Sequence, residues 1–213
     1  MLSNRLKTVA SFITPYKKIA DIGCDHGYLI QYAFENLNIE SAQAIDNKPG
    51  PLESAKKNNI KFKKRIIFSL SSGLDDLNEE IEVIIMAGMG GTLISNLLET
   101  GLKNNKLENI KRLILQPNRN SADIRKAMLN SGFDIKYETV VFEDKYYEII
   151  VYERSSDKVN YSSLELNYVQ ILLKEKPQQF INKINHELAM LQSIDYQTET
   201  IKNKIKELEN ILC

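Results

Sequence analysis

The chain has 213 residues, which is enough for one domain of ordinary size plus an appendage but tight for two full domains. Its 28 lysines and arginines balance its 28 aspartates and glutamates, so the molecule has no overall basic field that would attract nucleic acid. This neutrality does not exclude RNA binding, but it requires that any such binding use local basic patches.

Cysteine usage and hydropathy predict the compartment. The two cysteines, Cys24 and Cys213, lie almost a chain length apart, which predicts free thiols in a reducing environment. The sequence has no histidine and cysteine cluster of the kind that binds zinc, so we expect no metal. The N-terminus lacks a signal peptide's apolar segment and cleavage site, and no later apolar run approaches membrane-spanning length. We therefore expect a soluble, cytoplasmic protein.

Short apolar runs alternate with amphipathic stretches up to about Arg154, which is typical of successive βαβ units and predicts a mainly parallel sheet. The predicted strands are residues 18–23, 42–47, 65–70, 83–88, 112–117, 134–143 and 146–154. The predicted helices between them are residues 28–37, 51–59, 93–102 and 122–131, the last closed by Gly132 as a C-cap. Only Asp144 and Lys145 separate the last two strands, so we expect a hairpin with one strand antiparallel to its neighbours. The predicted fold is a seven-stranded, Rossmann-like α/β fold.

Composition changes at residues 154–163, and the chain beyond them has neither glycine nor strand-like alternation. We therefore divide the chain into a cofactor-binding unit, residues 1–154, and a helical C-terminal unit, residues 155–213. Ser162 and Glu165 have the spacing of a capping box, and Pro177 ends or kinks the helix that they begin. Two later apolar series, within residues 181–191 and 201–212, are out of phase. This break favours two helices in an antiparallel, coiled-coil-like hairpin over one long helix.

The strongest chemical feature is IADIGCDHGYL, where the first predicted strand meets the first helix. A glycine there lets the chain turn tightly and lets a ligand lie against the backbone. Dinucleotide-binding loops read G-x-G-x-x-G, whereas here Gly23 and Gly27 flank Asp25, which favours a cofactor without a pyrophosphate. S-adenosylmethionine fits, because its amino group and sulfonium are cationic and can be complemented by Asp21 or Asp25. Asp25 and His26 could equally be a simple helix N-cap.

Two further features support a nucleoside. Asp46 ends the second predicted strand about 20 residues beyond Gly27, where an acidic residue pairs with ribose hydroxyls in such folds. Ser72 and Gly73 follow the third strand and are placed to meet an adenine edge through backbone groups. A plain loop explains Ser72 and Gly73 equally well.

The fourth and fifth strands are followed by AGMGG (87–91) and LQPN (115–118). Both segments are expected at the carboxyl edge of the sheet, where such folds place their chemistry. Three glycines in four positions imply that a ligand approaches the backbone closely. Gln116 and Asn118 reach the same edge, with a simple Pro-Asn turn as the alternative explanation.

IADIGCDHGYL, AIDN, SSGL, IIMAGMGG and LQPN, in this order and at these intervals, closely resemble the bacterial tRNA adenine-22 N1-methyltransferases. The resemblance covers roughly residues 1–154 and extends more loosely to the tail, which that family also carries as a coiled-coil-like unit. It implies a class I methyltransferase that transfers a methyl group from S-adenosylmethionine to N1 of adenine 22 in tRNA. The residues that it implies around the cofactor are Asp21, Gly23, Asp25, His26, Gly27, Asp46, Asn47, Ser72, Gly73, Ala87, Gly88 and Met89. The catalytic candidates are Asn118, Gln116 and Met89.

Adenine N1 keeps an in-plane lone pair and the sulfonium methyl is already activated, so the reaction needs mainly alignment and no nucleophilic cysteine. N1 lies on the Watson–Crick edge, so a paired adenine must first be flipped out of its stack. The candidate groups for holding the RNA are the basic run 56–65, Arg119, Arg125, Lys126 and the helical tail, although solvated helix faces would look the same. The tail's apolar stripe could serve dimerisation instead; a monomer is favoured, but the sequence does not decide.

Three functions are therefore compatible with the sequence. The leading one is the tRNA N1-adenine methyltransferase. The second is a methyltransferase of the same fold that acts on another RNA, a protein or a small molecule. The third is a non-catalytic nucleoside-binding scaffold built on the helical hairpin.

Overall fold

The computed structural model describes residues 2–156, 160–168 and 170–213. Within these residues seven strands form one sheet: β1 (Lys18–Ile22), β2 (Ser41–Asp46), β3 (Ile66–Leu70), β4 (Val83–Met89), β5 (Arg112–Pro117), β6 (Phe133–Phe142) and β7 (Tyr146–Arg154). The helices are α1 (Asn4–Ser11), α2 (Tyr28–Asn36), α3 (Pro49–Asn58), α4 (Gly91–Lys103), α5 (Ser121–Ala127), α6 (Ser163–Tyr168), α7 (Gln170–Glu175), α8 (Gln178–Gln192) and α9 (Glu199–Leu212). A 3-10 helix occupies Ile60–Arg65.

The strand order is β3-β2-β1-β4-β5-β7-β6, and the first five of these strands are parallel. Strand β7 runs antiparallel to both β5 and β6, which confirms the predicted hairpin and Rossmann-like fold. Strand β5 is buried along its whole length and β4 at Val83–Met86, as expected where helices cover both faces. The strand order reverses between β1 and β4, and such a switch point opens a crevice at the carboxyl ends of the strands.

Two helical predictions need correction. Helix α5 ends at Ala127, so Gly132 is not its C-cap; Asn130 and Gly132 both have positive φ, and these left-handed residues turn the chain back into β6. Helix α1 was not predicted. It begins at the N-cap Ser3, whose Oγ accepts from Leu6 N at 3.4 Å, and it buries Val9 and Ala10.

The helical tail follows the predicted pattern, although residues 157–159 of the expected link lie outside the described residues. Ser162 and Glu165 form the predicted capping box, with Ser162 N donating to Glu165 Oε2 at 2.8 Å and Glu165 N donating to Ser162 Oγ at 3.2 Å. Pro177 lies between α7 and α8. Helices α8 and α9 are separate elements that pack together through an apolar cluster also reaching Val140 of β6.

A buried ionic cluster joins this tail to the sheet. Arg125 of α5 lies 3.3 Å from the carboxylate of Glu138 and 2.7 Å from that of Glu148, and Lys183 of α8 contacts Glu148 at 2.8 Å. Burial raises the pKa of Glu138 to about 7 despite the attraction of Arg125. Burial also acts to raise the pKa of Glu148, but the ion pairs with Lys183 and Arg125 hold it well below its usual range. Two cations thus contact two carboxylates where the tail packs against the sheet.

No helix in the described ranges is both long and apolar enough to cross a membrane.

Candidate active site

Two adjoining cavities of about 330 and 480 Å³ open at the carboxyl ends of β1, β2 and β4. Gly23, Asp25 and Met89 line both cavities, so the two form one cleft at the switch point of the sheet. The structure brings the predicted cofactor residues together along this cleft, with one exception: Asp21, His26, Ala87 and Gly88 line the smaller cavity, and Asp46, Asn47, Ser72 and Gly73 line the larger. The exception is Gly27, which is buried against α3, where Asn59 Nδ2 donates to its carbonyl at 3.0 Å.

The loop after β1 is shaped by backbone contacts with β2. Gly23 N and Cys24 N both donate to Ile45 O, at 2.8 and 3.1 Å. Gly23 has a φ of 72°, and a Cβ at this position would lie 2.5 Å from the terminal carbon of Met89. A side chain here would therefore be strained and would push Met89 out of its place between the two cavities.

Three carboxylates surround this glycine. Asp46 Oδ2 accepts from Asp25 N at 3.2 Å and Oδ1 accepts from Lys48 N at 2.9 Å, so Asp46 ties the β1 and β2 loops together. Asp21 is buried at the wall of the smaller cavity. Burial, and then repulsion from Asp46 and Asp25, raises the pKa of Asp21 to about 7.

In the part of the chain that the structure describes, neither Asp21 nor Asp46 has a salt bridge to lysine or arginine. A cationic ligand in this cleft would relieve the repulsion among the three carboxylates. The donor set therefore fits S-adenosylmethionine, which carries an ammonium group, a sulfonium and ribose hydroxyls.

Cys24 is buried beside these carboxylates. Burial, and then repulsion from Asp21 and Asp46, raises the pKa of its thiol. The thiol stays protonated at neutral pH and is a poor nucleophile, which agrees with chemistry that proceeds by alignment alone.

The glycines of the AGMGG segment differ from one another in what they approach. Gly88 lines the smaller cavity, and its missing side chain would point into open space. Gly91, in contrast, approaches the protein's own backbone, because a Cβ there would lie 2.1 Å from Asn120 O. Its N–H donates to Arg119 O at 2.8 Å, so this glycine joins α4 to the loop after β5. The sequence predicted that all three glycines let a ligand approach the backbone. This prediction is wrong for Gly91, which is approached by Asn120 O instead.

Of the catalytic candidates, Asn118 is exposed at the edge of the cleft and Gln116 is fully buried beneath it. Asn118 Nδ2 donates to Gly88 O at 2.6 Å, whereas its Oδ1 accepts only at 3.4 Å, from Gln116 Nε2. Gln116 Oε1 accepts from Gly88 N at 3.2 Å and from Arg5 Nη1. Asn118 therefore keeps acceptor capacity for a ligand, while Gln116 is positioned to hold the Gly88 loop from below.

Sequence reasoning missed Arg5 and Leu6 of α1, which line the smaller cavity. Arg5 also forms an ion pair with Glu143 at 3.5 Å and lies 4.9 Å from the ring centroid of Tyr147. The available signal was Ser3 followed by an apolar series at Leu6, Val9, Ala10 and Ile13, which is helical in spacing. Helix α1 was not predicted because this series spans only about two turns.

The structure separates the residues expected to hold RNA. Arg125 is buried in its ionic cluster and is unavailable, so that expectation is wrong. The 3-10 helix of the run 56–65 directly precedes β3, and Arg65 donates to Ile39 O before β2, which places Arg65 at the amino edge of the sheet. Asn58 and Asn59 of the same run donate to the carbonyls of His26 and Gly27, so this part of the run lies beside the loop after β1. Arg119 follows β5 at the same edge as the cleft and is exposed, as is Lys126 on α5.

Comparison with known proteins identifies relatives of the whole chain. The family model described as tRNA (adenine(22)-N(1))-methyltransferase matches residues 19–212. The Bacillus subtilis tRNA (adenine(22)-N(1))-methyltransferase is 37% identical over 221 residues, which cover 97% of this chain and 92% of the relative. A Streptococcus pneumoniae protein in complex with S-adenosyl-L-methionine is 36% identical, with a TM-score of 0.92 and complete coverage of both chains. The M. capricolum TrmK structure with S-adenosyl-homocysteine is 29% identical, with a TM-score of 0.84, covering 100% of this chain and 98% of that one.

Proposed function

This chain belongs to the tRNA (adenine(22)-N(1))-methyltransferase family, and we propose that its cleft between β1 and β4 is where S-adenosylmethionine and the target adenine meet. Its activity is the transfer of a methyl group from S-adenosylmethionine to N1 of adenine 22 in tRNA. The observation that carries the assignment of the cleft is the group of three carboxylates around Gly23. Asn118 is bonded to Gly88, which lines the same cavity, and so lies close to these carboxylates. Since the substrate is tRNA, we also propose a cytoplasmic location.

The direct test is mass spectrometry of nucleosides from tRNA treated with purified protein and S-adenosylmethionine. N1-methyladenosine is expected at position 22, and its yield should disappear when adenine 22 is replaced by guanine. A methyl group at another position, or its absence in a reaction with folded protein and bound cofactor, would contradict the proposal.

Each part of the cofactor has a proposed partner. Asp46, at the end of β2, accepts from the ribose hydroxyls with lone pairs that its backbone contacts leave free. Asp21 and Asp25 complement the cationic groups, and Ser72 and Gly73 receive the adenine edge beside Leu97. The bound cofactor supplies a sulfonium-activated methyl group. Ala87, Gly88 and Met89 form the wall on which that methyl group is aligned.

The remaining proposals concern the tRNA. The target adenine must leave its stack to expose N1, at a cost of a few kcal/mol. Asn118 is proposed to accept from the N6 amino group of that adenine, and Gln116 to position the loop from below. Residues 1–154 form the proposed cofactor-binding unit and residues 155–213 the helical unit. We propose a monomer as the working state.

Asp46→Ala is expected to weaken S-adenosylmethionine binding, because a carboxylate that accepts from ribose hydroxyls contributes on the order of 1.5–3 kcal/mol per charged hydrogen bond. The variant also loses the tether to Asp25 N, so the β1 loop should become less ordered. Isothermal titration calorimetry measures the change, and Asp75→Ala, at an exposed aspartate outside the cleft, is the matched control. Unchanged affinity in a folded Asp46→Ala protein would remove this residue from the site.

Cofactor affinity is expected to rise with pH because Asp21 has a pKa of about 7 in the free protein. A cationic ligand binds the ionised carboxylate, so protonated Asp21 must release its proton on binding, and affinity falls as pH decreases through 7. Between pH 6 and pH 8 the change should be roughly tenfold, the change in the ionised fraction.

Calorimetry at several pH values is the measurement. Asp21→Asn should bind more weakly and lose the pH dependence. His26 lies 3.7 Å from Asp25 and lines the same cavity as Asp21, so His26→Gln is the control and should retain the dependence. A pH-independent affinity in the wild-type protein would show that Asp21 does not face the bound cation.

A further inference from the structure

The β6–β7 hairpin ends in a row of aromatic rings. Phe142 pairs with Tyr146 across the two strands, and their ring centroids lie 4.9 Å apart at an interplanar angle of 54°. Tyr146 in turn lies 5.8 Å from the ring of His186 on α8. Phe142 is the outermost ring of this row and is 53% exposed. The ring of Phe142 packs against Tyr146 on one side, and much of its remaining surface is exposed to solvent.

The position of Phe142 explains why it is not covered. Side chains alternate along a strand, so Phe142 shares a face of the sheet with Glu138 and Val140, which are buried beneath α7 and α8. Phe142 is two residues beyond Val140 and extends past this cover. The sheet therefore presents a fixed aromatic ring to solvent at the end of a well-packed strand.

This end of the hairpin is the edge on which the proposed chemistry takes place. Strand β7 runs antiparallel to β5 with Leu115 opposite Ile150, so the start of β7 lies beside the LQPN loop that ends β5. Lys145 Nζ lies 3.5 Å from Asn118 O. Tyr146 and Asn118 also line the same cavity, of about 440 Å³.

An adenosine that leaves its stack to enter the cleft also exposes the face of its neighbour in the RNA strand. Aromatic side chains stack on such bases without sequence preference, and a nearby lysine pairs with the backbone phosphate. We propose that Phe142 is a stacking platform for the nucleotide next to the target adenosine and that Lys145 contacts a phosphate beside it. This inference rests on the proposed function and deepens it by naming how the flipped strand is held.

The test compares tRNA affinity in fluorescence-anisotropy titrations of wild type, Phe142→Ala, Phe142→Trp and Lys145→Gln. Stacking of one base predicts that Phe142→Ala weakens binding roughly 5- to 100-fold, whereas Phe142→Trp retains affinity. Lys145→Gln should reduce the slope of log affinity against log salt by about 1. Cofactor affinity should be unchanged in all three. Tyr137→Ala is the matched control, because Tyr137 is also exposed on β6 but lies five residues away, on the order of 17 Å along the strand.

Wild-type tRNA affinity in both Phe142→Ala and Lys145→Gln would overturn the proposal. A shift in sedimentation from dimer to monomer in Phe142→Ala would also overturn it, since the ring would then serve self-association. Formation of N1-methyladenosine by the wild type is measured in parallel. If only the stacking proposal is wrong, the wild type still forms N1-methyladenosine. If the proposed function is wrong, the wild type forms none.

Discussion

Asn118→Ala is expected to lower the single-turnover rate of tRNA methylation on the order of 100-fold while leaving cofactor and tRNA affinities close to wild type. N1 of adenine must attack the methyl carbon with its lone pair, so Asn118 cannot usefully donate to N1. Its Oδ1 can accept from the N6 amino group and so stabilise the positive charge that methylation leaves on the ring. Because this contact strengthens as charge develops, its loss reduces the rate more than it reduces binding.

The geometry of the free site supports this role. Asn118 Nδ2 is anchored to Gly88 O at 2.6 Å, which leaves Oδ1 with only one long contact. The same anchor predicts that Asn118→Asp is impaired, since a carboxylate oxygen would replace the donor and face the Gly88 carbonyl. The aspartate should still accept from N6, so its rate should lie between those of wild type and alanine.

Single-turnover methylation at saturating cofactor and tRNA is the measurement, with separate binding titrations for each ligand. Asn36→Ala makes the same chemical change at the exposed end of α2 and should have no effect. A near-wild-type rate for Asn118→Ala would leave this residue as the turn former that the Pro-Asn sequence also allows. The Gly88 and Met89 backbone would then be the better candidates for contacting the adenine.

Arg125→Met is expected to lower the free energy of unfolding by about 3–5 kcal/mol at pH 8, because it leaves a buried carboxylate without its cation. Arg125 is the cation that contacts Glu138, whereas Glu148 keeps Lys183. The folded-state pKa of Glu138 is about 7, above the ordinary value of 4.5. Stability contributed by its protonated form is present below pH 4.5 and is lost as pH rises through 7. The penalty of Arg125→Met should therefore be larger at pH 8 than at pH 6.

Urea denaturation at both pH values tests this expectation. Glu138→Gln added to Arg125→Met removes the unpaired charge and should recover part of the lost stability, most clearly at pH 8. Lys126→Met changes the exposed neighbouring residue and should alter stability by no more than about 0.5 kcal/mol. A loss below about 1 kcal/mol for Arg125→Met would mean that water or a rearranged lysine compensates the two carboxylates.

Much of the candidate site could be predicted because it is local in sequence. A strand followed at once by Gly23 and Asp25 predicts a ligand loop, and parallel strands bring their carboxyl ends to one edge. The structure accordingly places Asp21, Asp46 and Gly73 around one cleft. Helix α1 was not predicted because its eight residues form too few turns to give a strong periodic pattern of apolar residues.

Pairing between distant residues could not be predicted in the same way. Arg125 resembles an RNA-binding cation in the sequence, since nothing local shows that Glu138 and Glu148 will meet it in the interior. Gly91 resembles part of a ligand loop, yet it makes room for Asn120 O. In both cases a long-range neighbour decides the role of the residue.

By itself the sequence determined the strands, the parallel sheet, the glycine-containing loop after β1 and the helical tail. These features depend on apolar periodicity, turn residues and capping, which act over a few positions. Only the tertiary structure decided which cations are buried, which glycine approaches the protein's own backbone, and that Phe142 packs on Tyr146 while Lys145 contacts Asn118. Burial and contact depend on where the sheet and helices pack, and residues that are neighbours there are far apart along the chain.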